Sequence, residues 1–197
     1  VTGFWQEFSD YQILQRFPVG TVELTNAGEA TSKGVELETV WLPVDTLQLT
    51  LNVTYLDATY DKYDNPVAAI DPAQPENFEG NSLSYASDWK GYAGIQYIQR
   101  VGDYGELIWN LDYSYQSESY VDPQNREIDR IPSYDLWNLR VGYTPSSEKW
   151  ELSAYVSNLE DDDHITARSA DPLLGTDRVQ LGSPRFFGAK FKYFLGY

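Results

Sequence analysis

Cysteine and methionine are both missing from this chain of 197 residues. Without cysteine there are no disulfide staples, thiol nucleophiles, iron–sulfur clusters or thiolate zinc sites. Without methionine there is no initiator, so the chain is expected to be a processed product or a piece of something longer; its opening, Val1-Thr2-Gly3-Phe4-Trp5, reads as the middle of an element. Basic residues are scarce: 14 Lys and Arg against 30 Asp and Glu give a net charge of −16 and a pI near 4.2. That sign is wrong for a non-specific grip on nucleic acid or on an anionic membrane surface. No basic-then-apolar leader stands at the front, and no run approaches the roughly 20 apolar residues of a membrane helix. One continuous architecture, and not a helical membrane protein, is the expectation at this length.

What the chain has in abundance is aromatics: 16 Tyr, 8 Phe and 6 Trp, with a mean hydropathy that is still polar at −0.48. Alternation reconciles the two, because a β-strand sends neighbouring side chains to opposite faces. Leu47, Leu49, Leu51, Val53 and Tyr55 share a face opposite Gln48, Thr50, Asn52 and Thr54. Leu107, Trp109, Leu111, Tyr113 and Tyr115 oppose Ile108, Asn110, Asp112, Ser114 and Gln116. The same pattern covers Trp137 to Tyr143, Trp150 to Ser157 and Phe187 to Tyr197, and less cleanly Thr31 to Trp41 and Trp89 to Arg100. Val1 to Leu14 is the poorest, since Phe4 and Phe8 share a face with Gln6 while Trp5 sits opposite. The reading is eight strands, several reaching the nine to eleven residues of a tilted transmembrane strand.

Connections alternate in length. Pro43 to Thr46, Gly102 to Gly105 and Pro145 to Glu148 are short and rich in turn formers, whereas Gln15 to Gly20, Asp61 to Ser84, Ser117 to Ile131 and Glu160 to Gly182 are longer and polar. Short turns at one end of every hairpin and long loops at the other are the habit of transmembrane β-barrels. Trp41, Trp89, Tyr115, Tyr143 and Trp150 lie near strand ends, where interfacial aromatic girdles belong. A soluble β-sandwich also alternates faces, but its strands are usually shorter.

No catalytic constellation is visible. The single His164 follows Glu160-Asp161-Asp162-Asp163, which reads more simply as a solvated acidic run than as an ion site. No Gly-x-Ser-x-Gly elbow presents a nucleophile. Gly102-Asp103-Tyr104-Gly105 is too short and acidic to cradle phosphate. No enzyme and no cofactor are expected.

Three segments carry a family likeness. Asn26-Ala27-Gly28 leading into Gly34-Val35-Glu36-Leu37-Glu38, the strand pair from Tyr134 to Tyr143 and from Trp150 to Asn158-Leu159 with the acids after it, and the closing Gly182-Ser183-Pro184-Arg185-Phe186-Phe187-Gly188 resemble TonB-dependent outer-membrane receptors in order and spacing. The resemblance implies an all-β fold: a transmembrane antiparallel β-barrel of about 22 strands, of which residues 1–197 would be about eight C-terminal ones, with the N-terminal plug upstream. A closed eight-stranded barrel with a structural or adhesive role is the alternative within the class, and a soluble all-β carbohydrate-binding module is the alternative outside it.

The resemblance further implies ligand-gated uptake of a scarce nutrient such as a ferric siderophore, cobalamin or a glycan across a Gram-negative outer membrane. Extracellular loops would meet that ligand, and Tyr63, Tyr85, Tyr120, Arg126, Arg130, Arg168 and Arg178 are the loop residues able to stack on a planar group or fork a carboxylate. Phe191, Tyr193, Leu195 and Tyr197 resemble the aromatic-ended signal read by the barrel-assembly machinery. The implied partners are outer-membrane lipid and lipopolysaccharide, the small-molecule or glycan ligand, and the TonB-ExbB-ExbD complex acting through the N-terminal part.

Overall fold

The computed structural model describes residues 1–16, 22–69, 71, 72, 74–171 and 176–195. Twelve strands follow in order: β1 (Thr2–Arg16), β2 (Val22–Val44), β3 (Leu47–Tyr63), β4 (Trp89–Arg100), β5 (Gly105–Gln116), β6 (Ser119–Tyr120), β7 (Arg130–Ile131), β8 (Tyr134–Pro145), β9 (Trp150–Ser157), β10 (Ile165–Asp171), β11 (Thr176–Leu181) and β12 (Phe186–Tyr193). Eight of them form one antiparallel sheet in the order β1-β2-β3-β4-β5-β8-β9-β12. No described helix is long and apolar enough to cross a membrane.

The register carries the two faces across the whole sheet. Leu49 pairs with Ile95, Ile95 with Leu111, Leu111 with Leu139, Leu139 with Val156 and Val156 with Phe187, an apolar row spanning six strands. One residue along, Gln48, Gln96, Asn110 and Arg140 form a polar row. A slip of one residue in any pair would set these rows against each other, so the alternation itself fixes the register. Aromatic contacts mark both margins of the apolar face: Tyr55 against Trp89 at 4.9 Å on the long-loop side, Tyr143 against Trp150 at 5.5 Å and Trp150 against Phe191 at 6.0 Å on the short-turn side.

β1 and β12 are opposite edges of the sheet and do not pair, as eight strands of a larger barrel require and the alternative of a closed eight-stranded barrel does not allow. Several elements differ from the sequence reading. β2 begins at Val22, well before Thr31, and β3 continues past Tyr55 to Tyr63. Beyond the girdle the alternation fades while the hydrogen-bond ladder continues. Two of the polar links contain small hairpins of their own, β6–β7 and β10–β11. β12 ends at Tyr193, whose partner Trp150 is the first residue of β9; the ladder runs out there, and Leu195 lies past the strand, 89 % exposed. Phe191 and Tyr193 share the apolar face, and Tyr197 is outside the described residues.

The uncertain face of β1 has a local cause. Phe4 pairs with Gly34 and Phe8 with Ala30, so two rings lie on the polar face over residues small enough to admit them. A Cβ at Gly34 would stand 2.7 Å from the Phe4 ring.

Candidate functional site: the interlocked loop cap

At the long-loop end the polar face is covered. A bulge in β3 between its pairs with Glu29 and Ala30 lets Tyr60 and Tyr63 project to one side. Phe8, Tyr11, Tyr60, Tyr63 and Phe78 then form a chain of edge-to-face contacts with centroids 4.8 to 6.0 Å apart. Tyr60, Tyr63 and Phe78 make a buried core with Ala30, Ala58 and Leu83, Tyr11 packs against it half-buried, and Phe8 closes the chain at the exposed margin. Burial pushes the Tyr60 phenol up to about 12, against the opposing effect of a hydrogen bond with Ser84, and burial raises Tyr63 further. The β3–β4 loop is braced from within by Asn65, which is buried, donates to the Pro75 carbonyl at 2.7 Å and accepts from the Val67 amide.

The β3–β4 loop is bound to the β5–β8 loop by a set of specific bonds. Asn125 accepts from the Ser82 amide at 2.7 Å and donates back to the Ser82 carbonyl at 3.1 Å. Asn81 donates to the Pro123 carbonyl at 2.8 Å, and the Tyr85 amide donates to the Tyr120 carbonyl at 2.7 Å. Asn125 holds φ of 50°, a left-handed conformation that Asn tolerates better than most side chains. The β10–β11 hairpin joins the cap through Arg168, which donates to the Arg130 carbonyl at 3.0 Å.

The arginines named from the sequence are held by carboxylates of the cap. Arg126 forks onto Asp129 at 2.5 and 3.1 Å, and Asp129 is 2 % exposed. Arg130 reaches Glu127 at 2.6 Å and Glu118 at 3.1 Å, and Arg168 forks onto Asp177 at 2.8 and 3.2 Å. These carboxylates hold all three guanidinium groups above their usual range, and Arg168 holds the Asp177 carboxyl below its own. Arg178 is exposed on β11 with no ion pair among the described residues, and Tyr85 is 54 % exposed at φ of 62°. Tyr120 is half-buried in the Tyr85 junction, and Tyr63 belongs to the aromatic core.

Below the third loop lies a tight corner. The Asn158 side chain accepts from the Asp162 amide at 2.9 Å and donates to the Asp162 and Ser183 carbonyls. Asp161 accepts from the Arg185 amide at 2.9 Å and pairs with its guanidinium at 3.3 Å. The two sequence signatures of this region, Asn158 to Asp161 and Pro184-Arg185, are therefore two halves of one lock. His164 stacks on Tyr134 at 4.7 Å, directly over Gly182, and borders a cavity of about 380 Å³ with Asn138, Ser157 and Gln180. Among the described residues no three His, Asp or Glu side chains converge as metal ligands.

Sequence reasoning did not find Asn125, Asp129 or the Tyr60–Phe78 stack. The turn-forming run Asp122-Pro123-Gln124-Asn125 was the available signal for the first. The others depend on which loop meets which.

The description "TonB dependent receptor-like, beta-barrel" matches residues 1–159 of this chain. The chain belongs to that family. Its barrel segment is similar to three solved receptors. One is the ferric yersiniabactin uptake receptor FyuA from Yersinia pestis, at TM-score 0.76 and 21 % identity over 96 % of this chain and 26 % of that one. Another is the siderophore receptor PiuA from Acinetobacter baumannii, at 0.70 and 18 % over 95 % and 24 %. The third is BauA, the ferric preacinetobactin receptor from Acinetobacter baumannii, at 0.66 and 17 % over 96 % and 26 %. The barrel segment thus spans about a quarter of the length of the structures it resembles, and eight sheet strands are a share of a larger wall. The family is one of receptors and transporters, not an enzyme class.

Proposed function

We propose that this chain forms part of the wall and three outer loops of an outer-membrane, ligand-gated importer of a scarce nutrient, a ferric siderophore foremost. Barrels of this family sit in the outer membrane of Gram-negative bacteria. The reading rests on one observation above the rest. The cap formed by Asn125–Ser82, Tyr85–Tyr120 and Arg168–Arg130 closes over the polar face and leaves the apolar face bare, as a ligand-capturing mouth above a lipid-embedded wall requires. The names of three similar structures favour ferric siderophores over cobalamin or glycans. Tyr85, Tyr120, Arg126, Arg130, Arg168 and Arg178 are the cap residues offered to the ligand. Arg178 and Tyr85 stand out because both are exposed and Arg178 has no ion pair among the described residues. Coupling to TonB-ExbB-ExbD would run through the N-terminal part, lipopolysaccharide would surround the loops, and Phe191 and Tyr193 would guide assembly.

The test is uptake of a panel of ⁵⁵Fe-siderophores by cells carrying the intact receptor as their only siderophore receptor. Uptake that needs TonB and is lost on deleting residues 165–181, with barrel levels unchanged, is the expected outcome. Uptake of none of the panel, with no binding to purified receptor, would end the siderophore reading.

A further inference from the structure

The ion pairs of this acidic chain mostly give each cation a carboxylate of its own: Lys33 has Asp57, Arg100 has Glu106, Arg185 has Asp161, and Arg130 has two. The polar face of β8, β9 and β12 reverses that balance. Arg140 and Lys192 both turn to Glu151, at 3.4 and 3.0 Å. Lys190, directly across from Ser153 and exposed, has no carboxylate in ion-pair range among the described residues. Three cations around one carboxylate leave a local surplus of two positive charges in a protein whose net charge is −16. The ground between them is low: Ser153, buried beneath the Arg140 guanidinium at 3.4 Å, pairs with Gly142 in the next strand. Arg140 and Lys192 keep 48 % and 40 % of their side chains exposed, so both can turn to a second partner.

The position matters as much as the charge. Lys192 and Glu151 are one pair from the last rung, Tyr193 with Trp150, at the short-turn end of the wall. The cap lies at the other end, and Arg126, Arg130 and Arg168 there are held by loop carboxylates. The polar face also carries Glu36, Glu38, Lys90, Asp112 and the Arg100–Glu106 pair, but on no other part of the described strands do three cations gather around one carboxylate, and this group lies where a solute would leave.

We propose that Arg140, Lys190 and Lys192 form an anion-binding station on the inner wall that takes a carboxylate or phosphate group of a solute crossing the barrel. Glu151 holds Arg140 and Lys192 in place and competes with the arriving anion, so the station grips and releases. The proposal rests on the polar face being the inner face. It does not depend on which nutrient the cap selects.

The experiment uses the purified intact receptor in detergent at low ionic strength, with citrate as the probe and titration calorimetry as the readout. Lys190→Gln should weaken citrate binding about fivefold, the worth of one partly exposed charge-assisted contact. Glu151→Gln should tighten it by a similar factor, a gain that a merely structural Glu151 would not produce. Citrate binding indifferent to both substitutions, or weakened by Glu151→Gln, overturns the station. If citrate does not bind and Lys190→Gln instead lowers the melting temperature of the intact receptor, the cations are serving a carboxylate elsewhere in the polypeptide and the solute assignment falls. Siderophore uptake plays no part in this measurement, so its outcome is separable from that of the importer reading.

Discussion

Replacing Leu111 by Arg tests which face meets lipid, and the structure sets the size of the effect. Leu111 is midway along the apolar row of β5, four residues from Leu107 and four from Tyr115, and pairs with Ile95 and Leu139 on either side. At about 3.3 Å per residue it is roughly 13 Å along the strand from either end, or about 10 Å in depth at a tilt near 40°. That places it close to the bilayer midplane, where an Arg on the lipid face costs about 2–4 kcal/mol. Its neighbour Asn110 occupies the same depth on the polar row between Gln96 and Arg140. Asn110→Arg should cost no more than about 1 kcal/mol, set by the like charge of Arg140 across the pair, because it faces water and needs no desolvation. The measurement is guanidinium unfolding of the intact receptor in phospholipid bilayers, followed by tryptophan fluorescence and extrapolated linearly. A gap of about 1 kcal/mol or more between the variants is expected. Equal costs, or a costlier Asn110→Arg, would refute the assignment of faces and with it the importer.

Three further outcomes follow from the cap. Asn125→Ala removes both bonds to Ser82 and should speed amide exchange across residues 80–86 about tenfold, since two net hydrogen bonds are worth roughly 1–3 kcal/mol; hydrogen-exchange mass spectrometry reads this directly. The Tyr60 phenol is raised to about 12 from an unfolded value near 10, so its neutral form stabilises the cap fully below pH 10, and that contribution is lost as pH climbs towards 12. Near-ultraviolet circular dichroism should show the aromatic stack loosening in that window, less so in Tyr60→Phe, and an unchanged profile in that variant would refute the assignment to Tyr60. Gly182→Ala would set a methyl 1.8 Å from His164 Nε2 and should drive the imidazole off Tyr134, costing about 1–3 kcal/mol. An unperturbed His164 ring signal in the variant would contradict the packing described.

How much of this was legible beforehand divides at the girdle. Between Tyr55–Trp89 and Tyr143–Trp150 one face of the sheet is apolar and the other polar, so the alternation in Leu47 to Tyr55 and Leu107 to Gln116 announced their strands without any knowledge of partners. Above that height the same backbone ladder persists through Tyr63, yet the alternation fades and the sequence falls silent. The cap is illegible for a different reason. Its clamps join Ser82 to Asn125 and Arg130 to Arg168, some forty residues apart, and no periodicity records which polar loop will meet which. The arginines could be named as forks from their type alone, but their partners Asp129, Glu127 and Asp177 were not foreseen. The terminal stripe shows the same boundary: Phe191 and Tyr193 fall where alternation puts them, while Leu195 outruns the strand that would have oriented it.

The two outer strands of the sheet, β1 and β12, have a bearing on biogenesis. Along β1 and along β12 every second residue offers an amide and a carbonyl to whatever lies beyond. In hydrocarbon each such group left bare costs several kcal/mol, so one exposed margin of this length would cost tens. A half-finished cylinder cannot rest in the bilayer on those terms. These ribbons must arrive already stitched to their neighbours, or shielded by a scaffold that lends them a temporary seam until the last one closes.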